Sequence, residues 1–229
     1  MLDFNKRLYA RDYRHEAAKQ CNKFTGDLIV LFIVEFVIGS IATSAGVGLL
    51  VLPHLVIGLI YGMIKVYNDK KPAIEDLFSG FTKDYLKRLL IYVLTGLYIY
   101  LWSLLLIIPG IIKSYSYRMA SYIHIDRPEL SSNECITESR KMMDGHKWEL
   151  FCLEFSYIGW LFLCALTFGI ASLWVAPRMS YSTYLFYLKV SGKGAQKQNV
   201  VIIEKESEEP QKTSVNNDDF FADIDSKFN

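Results

Sequence analysis

Charge is missing from long stretches of this 229-residue chain. Residues 28–64 carry none except Glu35, residues 89–108 carry none, and residues 150–177 carry only Glu154. A helix on the surface of a soluble protein shows a polar side with a period of 3.6 residues, and these runs show none. About 20 apolar residues are enough for a helix to cross the hydrocarbon core of a bilayer. The second run therefore fits one span, while the first and third are each long enough for two short ones. Other absences narrow the function. The first 27 residues contain no apolar core of a signal peptide, so no removable signal is expected. The four cysteines (Cys21, Cys135, Cys152, Cys164) show no CxxC or metal-ligand spacing, and a disulfide framework is not expected. His15, His54, His124 and His146 are scattered without metal spacing. No GxSxG, HExxH, Walker A or dinucleotide fingerprint is found. No catalysis, cofactor or metal is expected.

Small-residue breaks cut the long runs into three helical hairpins, with turns near Ala45-Gly46, Pro109-Gly110 and Thr167-Phe168-Gly169. The expected helices are 28–44 with 47–66, 89–108 with 111–125, and 148–166 with 170–189. Of the 25 Lys and Arg, 22 fall in 1–27, 65–88, 126–149 and 189–229, and none falls in the three turns. Positive charge concentrates on the cytoplasmic side of membrane proteins, so every polar segment and both termini are expected inside. The expected fold is an all-α, polytopic membrane helical bundle: six transmembrane helices as three hairpins, N-in/C-in, with interfacial amphipathic helices. At the second turn, proline lacks an N–H and glycine permits the turn conformation. The alternative there is one helix kinked at Pro109, which would reverse everything downstream.

The polar pieces read as more than connectors. SSNECITESRKMMDG opens with a capping box, Ser131 with Glu134, and ends at Gly145. Leu130, Cys135, Ile136, Met142 and Met143 would face lipid, with Arg140 and Lys141 at the headgroups. KKPAIEDLFSGFTKDYLKRL opens at Pro72 and offers Leu77, Phe78 and Phe81 as an apolar side. Residues 1–27 would form a third interfacial helix; the plainer alternative is a set of solvated connectors. Aromatic residues beside basic ones in 1–24 suit a membrane surface, and no nucleic-acid partner is expected. Residues 190–229 are polar enough to be read as a disordered cytoplasmic tail. It ends in NNDDFFADIDSKFN, where Phe220, Phe221, Ile224 and Phe228 would share a helical face for a protein partner, against the simpler role of a solubilising tail.

Ionisable residues at membrane depth are functional candidates by default. Five fall inside the expected helices: Glu35, Lys113, Arg118, Glu154 and Arg178. At 100° per residue Lys113, Ser114, Tyr117, Arg118, Ser121 and His124 occupy one arc of helix 111–125, a polar stripe that must face protein or water. Glu35 shares a face with Gly39 and Ala42, and His54 with Gly58 and Gly62, spacings that allow close helix contact. One reading has Glu35 and Glu154 neutralising Arg118 and Arg178. The other is a hydrated site for an anionic or amphipathic ligand, with Glu35, Lys113, Tyr117, Arg118, Glu154 and Arg178 as candidates.

The segments IPGIIKSYSYRMASYI, RPELSSNECITESRKMMDGHKWELF, FSYIGWLFLCALTFGIASLWVAP and the closing YLFYLK resemble a bacterial integral membrane family catalogued as domain of unknown function 975. DLFSGF at 76–81 resembles the same family's first cytoplasmic connector. The resemblance is strong over 72–189, weaker over 1–71 and absent from the tail. It implies a multi-pass bacterial plasma-membrane protein and supplies no catalytic residues. An aromatic residue usually follows the proline at 177 in that family, whereas this chain has Arg178.

The function expected from the sequence is a non-catalytic binding or scaffold module that contacts membrane lipids or partner proteins. The alternative is a small transporter or lipid-handling protein using the Arg118–Arg178–Glu154 interior. Pro53, Pro109 and Pro177 hint at a threefold hairpin repeat, as transporters often contain repeats.

Overall fold

The structure, a computed structural model, describes residues 2–6, 8–81, 85–105, 107–167 and 169–196. The described residues are helical, with no strand among them. One compact unit covers Met1–Ala195. The chain after Gln196, with the expected partner motif at 216–229, lies outside the described residues. Lys193 pairs with Asp126 at 2.8 Å, and a side chain at Gly194 would collide with Phe4.

The first hairpin is α2 (Thr25–Ser44) and α3 (Gly48–Tyr67). It closes at Gly46 (φ +74°), a backbone angle that favours glycine, while the Val47 N–H bonds the Ala42 carbonyl at 2.9 Å. The second pairs α5 (Tyr85–Leu105) with α6 (Ile107–Tyr117), and α7 (Ala120–Asp126) continues it. α5 ends at Leu105 and α6 begins at Ile107, so Pro109 and Gly110 lie within α6 rather than at the expected turn. Pro109 is the third residue of α6, where its missing N–H is one that a helix start leaves unpaired anyway. Gly110 is needed for close approach rather than for a turn: a methyl there would lie 2.9 Å from the Ser103 Cα on α5. The third hairpin is α9 (Lys147–Phe155) and α10 (Ile158–Leu166), returning through Gly169 (φ +88°) into α11 (Ser172–Val190).

Six unbroken spans are not formed among the described residues. Three helical stretches among the described residues are long and apolar enough to cross a membrane: Thr25–Ser44, Gly48–Tyr67 and Lys147–Leu166. At 1.5 Å per residue the 11 residues of α6 reach only about 16 Å, roughly half a hydrocarbon core. Lys87, Arg88 and four tyrosines dilute the apolar run of α5, and Arg178 with a hydroxyl-rich second half does the same to α11.

The buried core gathers at one end of these elements. It joins α1 (Ala10–Lys23), the second half of α11, α7 and α8 (Ser132–Met142), with Leu28 from α2 and Met63 and Val66 from α3. The expected interfacial helices are therefore engaged by protein. Tyr13, Ala17 and Cys21 of α1 are buried in the core, as are Cys135 and Ile136 of α8 and Met143 just beyond it, rather than facing lipid. The capping box of α8 forms as the sequence indicates, with Glu134 N–H to Ser131 Oγ at 3.3 Å and Ser131 N–H to Glu134 Oε2 at 2.7 Å.

The connector after α3 does not stay at the helix end either. It passes through α4 (Ile74–Phe78) and a 3-10 turn (Ser79–Phe81), running back along α3. Asp76 pairs with Lys65 at 2.6 Å, Leu77 backbone sits on Gly58, Phe81 stacks on His54, and Tyr85 reaches the Leu50 carbonyl at 3.3 Å. The small-residue face of His54, Gly58 and Gly62 is thus used for close contact, largely by the connector. Away from the core, large apolar side chains stay exposed: Phe36 on α2, Leu104 on α5, Ile108 on α6, and Phe162 and Leu166 on α10.

Candidate functional site

A groove of about 640 Å³ opens between α3, α5, α6–α7 and α11. One wall is apolar, with Leu59, Ile60 and Met63 from α3 and Ile91 and Ile99 from α5. The facing wall carries Ser114, Tyr117, Arg118, Ser121 and Tyr122, and α11 adds Ser180 and Thr183. The volume falls within the roughly 300–1,000 Å³ of small-ligand pockets. Val56 and Tyr92, both in the lining, are exposed, so the groove is open to its surroundings.

A break in the helix shapes the polar wall. The α6–α7 helix opens at Arg118–Met119 without proline or glycine. The Ser139 hydroxyl of α8 enters the gap, accepting from the Met119 N–H at 3.2 Å and donating to the Ser116 carbonyl at 2.8 Å. Ser139 and Met119 are fully buried. A polar side chain inserted into the backbone ladder is an established cause of helix breaks.

Arg118 projects from that break. Its Nη2 bonds Glu154 Oε1 at 3.1 Å, and Tyr115 donates to Glu154 Oε2 at 2.9 Å. The Arg118 side chain remains 54% exposed while Glu154 is mostly covered. A guanidinium has five donors in a planar fork; one of them is engaged here among the described residues. Thr95 Oγ1, also in the lining, is buried with no hydrogen-bond partner.

Of the other candidates, Tyr117 is in the groove and packs against Tyr98 at 5.9 Å between ring centroids. Lys113 leaves it and sits over the Trp102 ring at 4.5 Å. Arg178 is elsewhere, bonded to Asn22 Oδ1 at 2.8 Å and lying over Trp174. Glu35 is half-buried beside Gly39 and Thr43 and has no ion-pair partner among the described residues. The neutralisation expected from sequence therefore holds for Glu154 with Arg118 and does not extend to Glu35 with Arg178. Four members of the polar stripe, Ser114, Tyr117, Arg118 and Ser121, line the groove; His124 is buried in the core. The apolar wall from α3 and α5 was invisible in the sequence, where its residues look like any lipid-facing helix. Among the described residues, no three His, Cys, Asp or Glu side chains gather as a metal site.

Fold and site thus define an all-helical protein with three membrane-length apolar stretches, of which α3 lines a groove that also holds Arg118. Residues 104–194 match the family model described as "Protein of unknown function (DUF975)". The match takes in the polar wall, the helix break, Glu154 and Arg178; the first hairpin and DLFSGF at 76–81 fall outside it. No curated protein and no solved structure matches the chain.

Proposed function

We propose that this chain is a non-catalytic, membrane-embedded binding protein of a bacterial plasma membrane that holds an anionic amphipathic lipid in the groove. The apolar helices α2, α3 and α9–α10 would anchor it in the bilayer. Both ends of the packed unit would face the cytoplasm, because α1 and the end of α11 pack together, Tyr13 against Phe186. One observation carries the reading: Arg118 stands half-exposed in a groove with one apolar and one hydroxyl-bearing wall, with donors to spare. An acyl chain suits the α3–α5 wall, and an acidic headgroup suits Arg118 with the hydroxyls of Ser121, Tyr122 and Thr183. The partly apolar lining favours lipid handling over the passage of a hydrated solute.

Two variants test it. A Cβ at Gly96 meets nothing within 4 Å, and Gly96 lines the groove. Gly96→Leu therefore fills the space without a backbone clash, and Arg118→Gln removes the cation. Lipid analysis of the detergent-purified chain should show an anionic lipid with the wild type and markedly less with each variant. Equal lipid in all three would refute the groove as the binding site.

A further inference from the structure

A second cationic cleft lies on another side of the molecule. Arg11, Arg14, His15 and Ala18 of α1 face Tyr157 and Trp160 at the α9–α10 junction and Val175 and Arg178 of α11 around a volume of about 310 Å³. None of these lining residues is acidic. Asp12 and Glu16 line the neighbouring depression, where Asp12 is engaged by the Tyr9 N–H and Glu16 by Gln20. Among the described residues none of the three arginines has a carboxylate partner. Arg14 is instead fixed by the carbonyl that the α9–α10 break frees, Nη1 to Ser156 O at 2.7 Å, and lies over the Tyr157 ring. Arg178 is fixed by Asn22. The Nε atoms of Arg14 and Arg178 are buried with no hydrogen-bond partner. Three guanidinium groups drawn together without a counter-charge repel one another, and an anion with several acceptor oxygens relieves that; arginine forks match phosphate geometry in pairs of parallel bonds.

The level of the cleft narrows the ligand. Tyr157 and Trp160 place it where α9 breaks into α10, and Arg178 reaches Asn22 near the handover from polar α1 to apolar α2 at Phe24. Trp160 and Trp174 are exposed beside it, as tryptophans are at the membrane–water boundary. The narrow seam between α2 and α11 next to Arg178, with Leu28, Ile29, Leu173 and Trp174, leaves only about 10 Å³ open. We infer that the Arg11–Arg14–Arg178 cleft binds the phosphate of an anionic phospholipid headgroup. The inference rests on the membrane reading of the chain but not on the groove at Arg118.

The test uses the full chain in neutral detergent, with thermal unfolding followed by tryptophan fluorescence. Mixed micelles carrying phosphatidylglycerol should raise Tm; phosphatidylcholine and inorganic phosphate at matched concentration should not. Ala18→Glu places a carboxylate among the arginines without removing any bond of the fold, and Arg11→Gln removes the guanidinium that holds no structural bond. Ala18→Glu should weaken the phosphatidylglycerol response at least about tenfold, since like charges at an interface are strongly unfavourable. Arg11→Gln should weaken it in part, and the ligand-free Tm should not fall in either variant, since each relieves repulsion among the guanidinium groups. Gly96→Leu should keep the response, which separates this cleft from the groove. A response untouched by Ala18→Glu would overturn the proposal. An equal response to inorganic phosphate would overturn the assignment to a lipid.

Discussion

Replacing Ser139 with alanine should loosen the site without touching its surface. The hydroxyl is the partner of the Met119 N–H, which has no backbone acceptor at the helix break, and both residues are fully buried. Leaving a buried donor unsatisfied costs about 2 kcal/mol, within the range of 1–3 for such groups. For a chain of this length that corresponds to a fall in Tm of roughly 4–8 °C. Thermal unfolding of the purified chain measures the fall, and amide hydrogen exchange at Met119 should speed up in the variant. Ser40→Ala is the control, because the exposed Ser40 hydroxyl bonds only Phe36 of its own helix and should change little. If Ser139→Ala leaves Tm unchanged and Met119 protected, α6 and α7 close into one helix without the hydroxyl, and Ser139 does not make the break.

Gly58→Ala should destabilise far more than Gly96→Ala. A methyl at Gly58 overlaps the Leu77 backbone, whereas one at Gly96 meets open space; overpacking costs about 1–3 kcal/mol or more, while Gly→Ala in an open helix gains up to ~1 kcal/mol. Comparison of the two Tm values checks the packing of the connector on α3. The capping box gives a pH dependence. The Ser131 N–H, and then its hydroxyl, hold the Glu134 carboxyl below its usual value. A depressed carboxylate adds stability that is present above the unfolded-state value and is lost as pH falls through the folded one. Wild type should therefore exceed Glu134→Gln in Tm at neutral pH, and the gap should close in acid. A gap independent of pH would refute the linkage.

The sequence carried much of this arrangement because its cues were local. The first hairpin, its Gly46 turn and the Ser131–Glu134 box are set by neighbouring residues, and each forms where the pattern places it. The Pro109-Gly110 pair misled because proline and glycine each have a second use: proline at a helix start, glycine where two backbones touch. The break at Arg118–Met119 depends on Ser139, twenty residues away, so no local pattern marks it. The faces of α1 and α8 read as lipid-facing because an apolar stripe looks the same whether it meets acyl chains or protein, α11 for α1 and α5–α7 for α8. Arg118 and Glu154 were legible as charges at depth, but their pairing and the separate position of Arg178 are tertiary facts.

The proposal that the groove binds lipid is tested most directly with phosphatidylglycerol bearing a photoreactive diazirine on its acyl chain. The full chain would be illuminated in a bilayer and its labelled residues mapped by peptide mass spectrometry. Label should concentrate on the groove walls, at Leu59, Ile60 and Met63 of α3 and Ile91 and Ile99 of α5, and should leave those positions in Gly96→Leu. Label confined to outward residues such as Phe36, Leu104 and Phe162, with none in the groove, would contradict it.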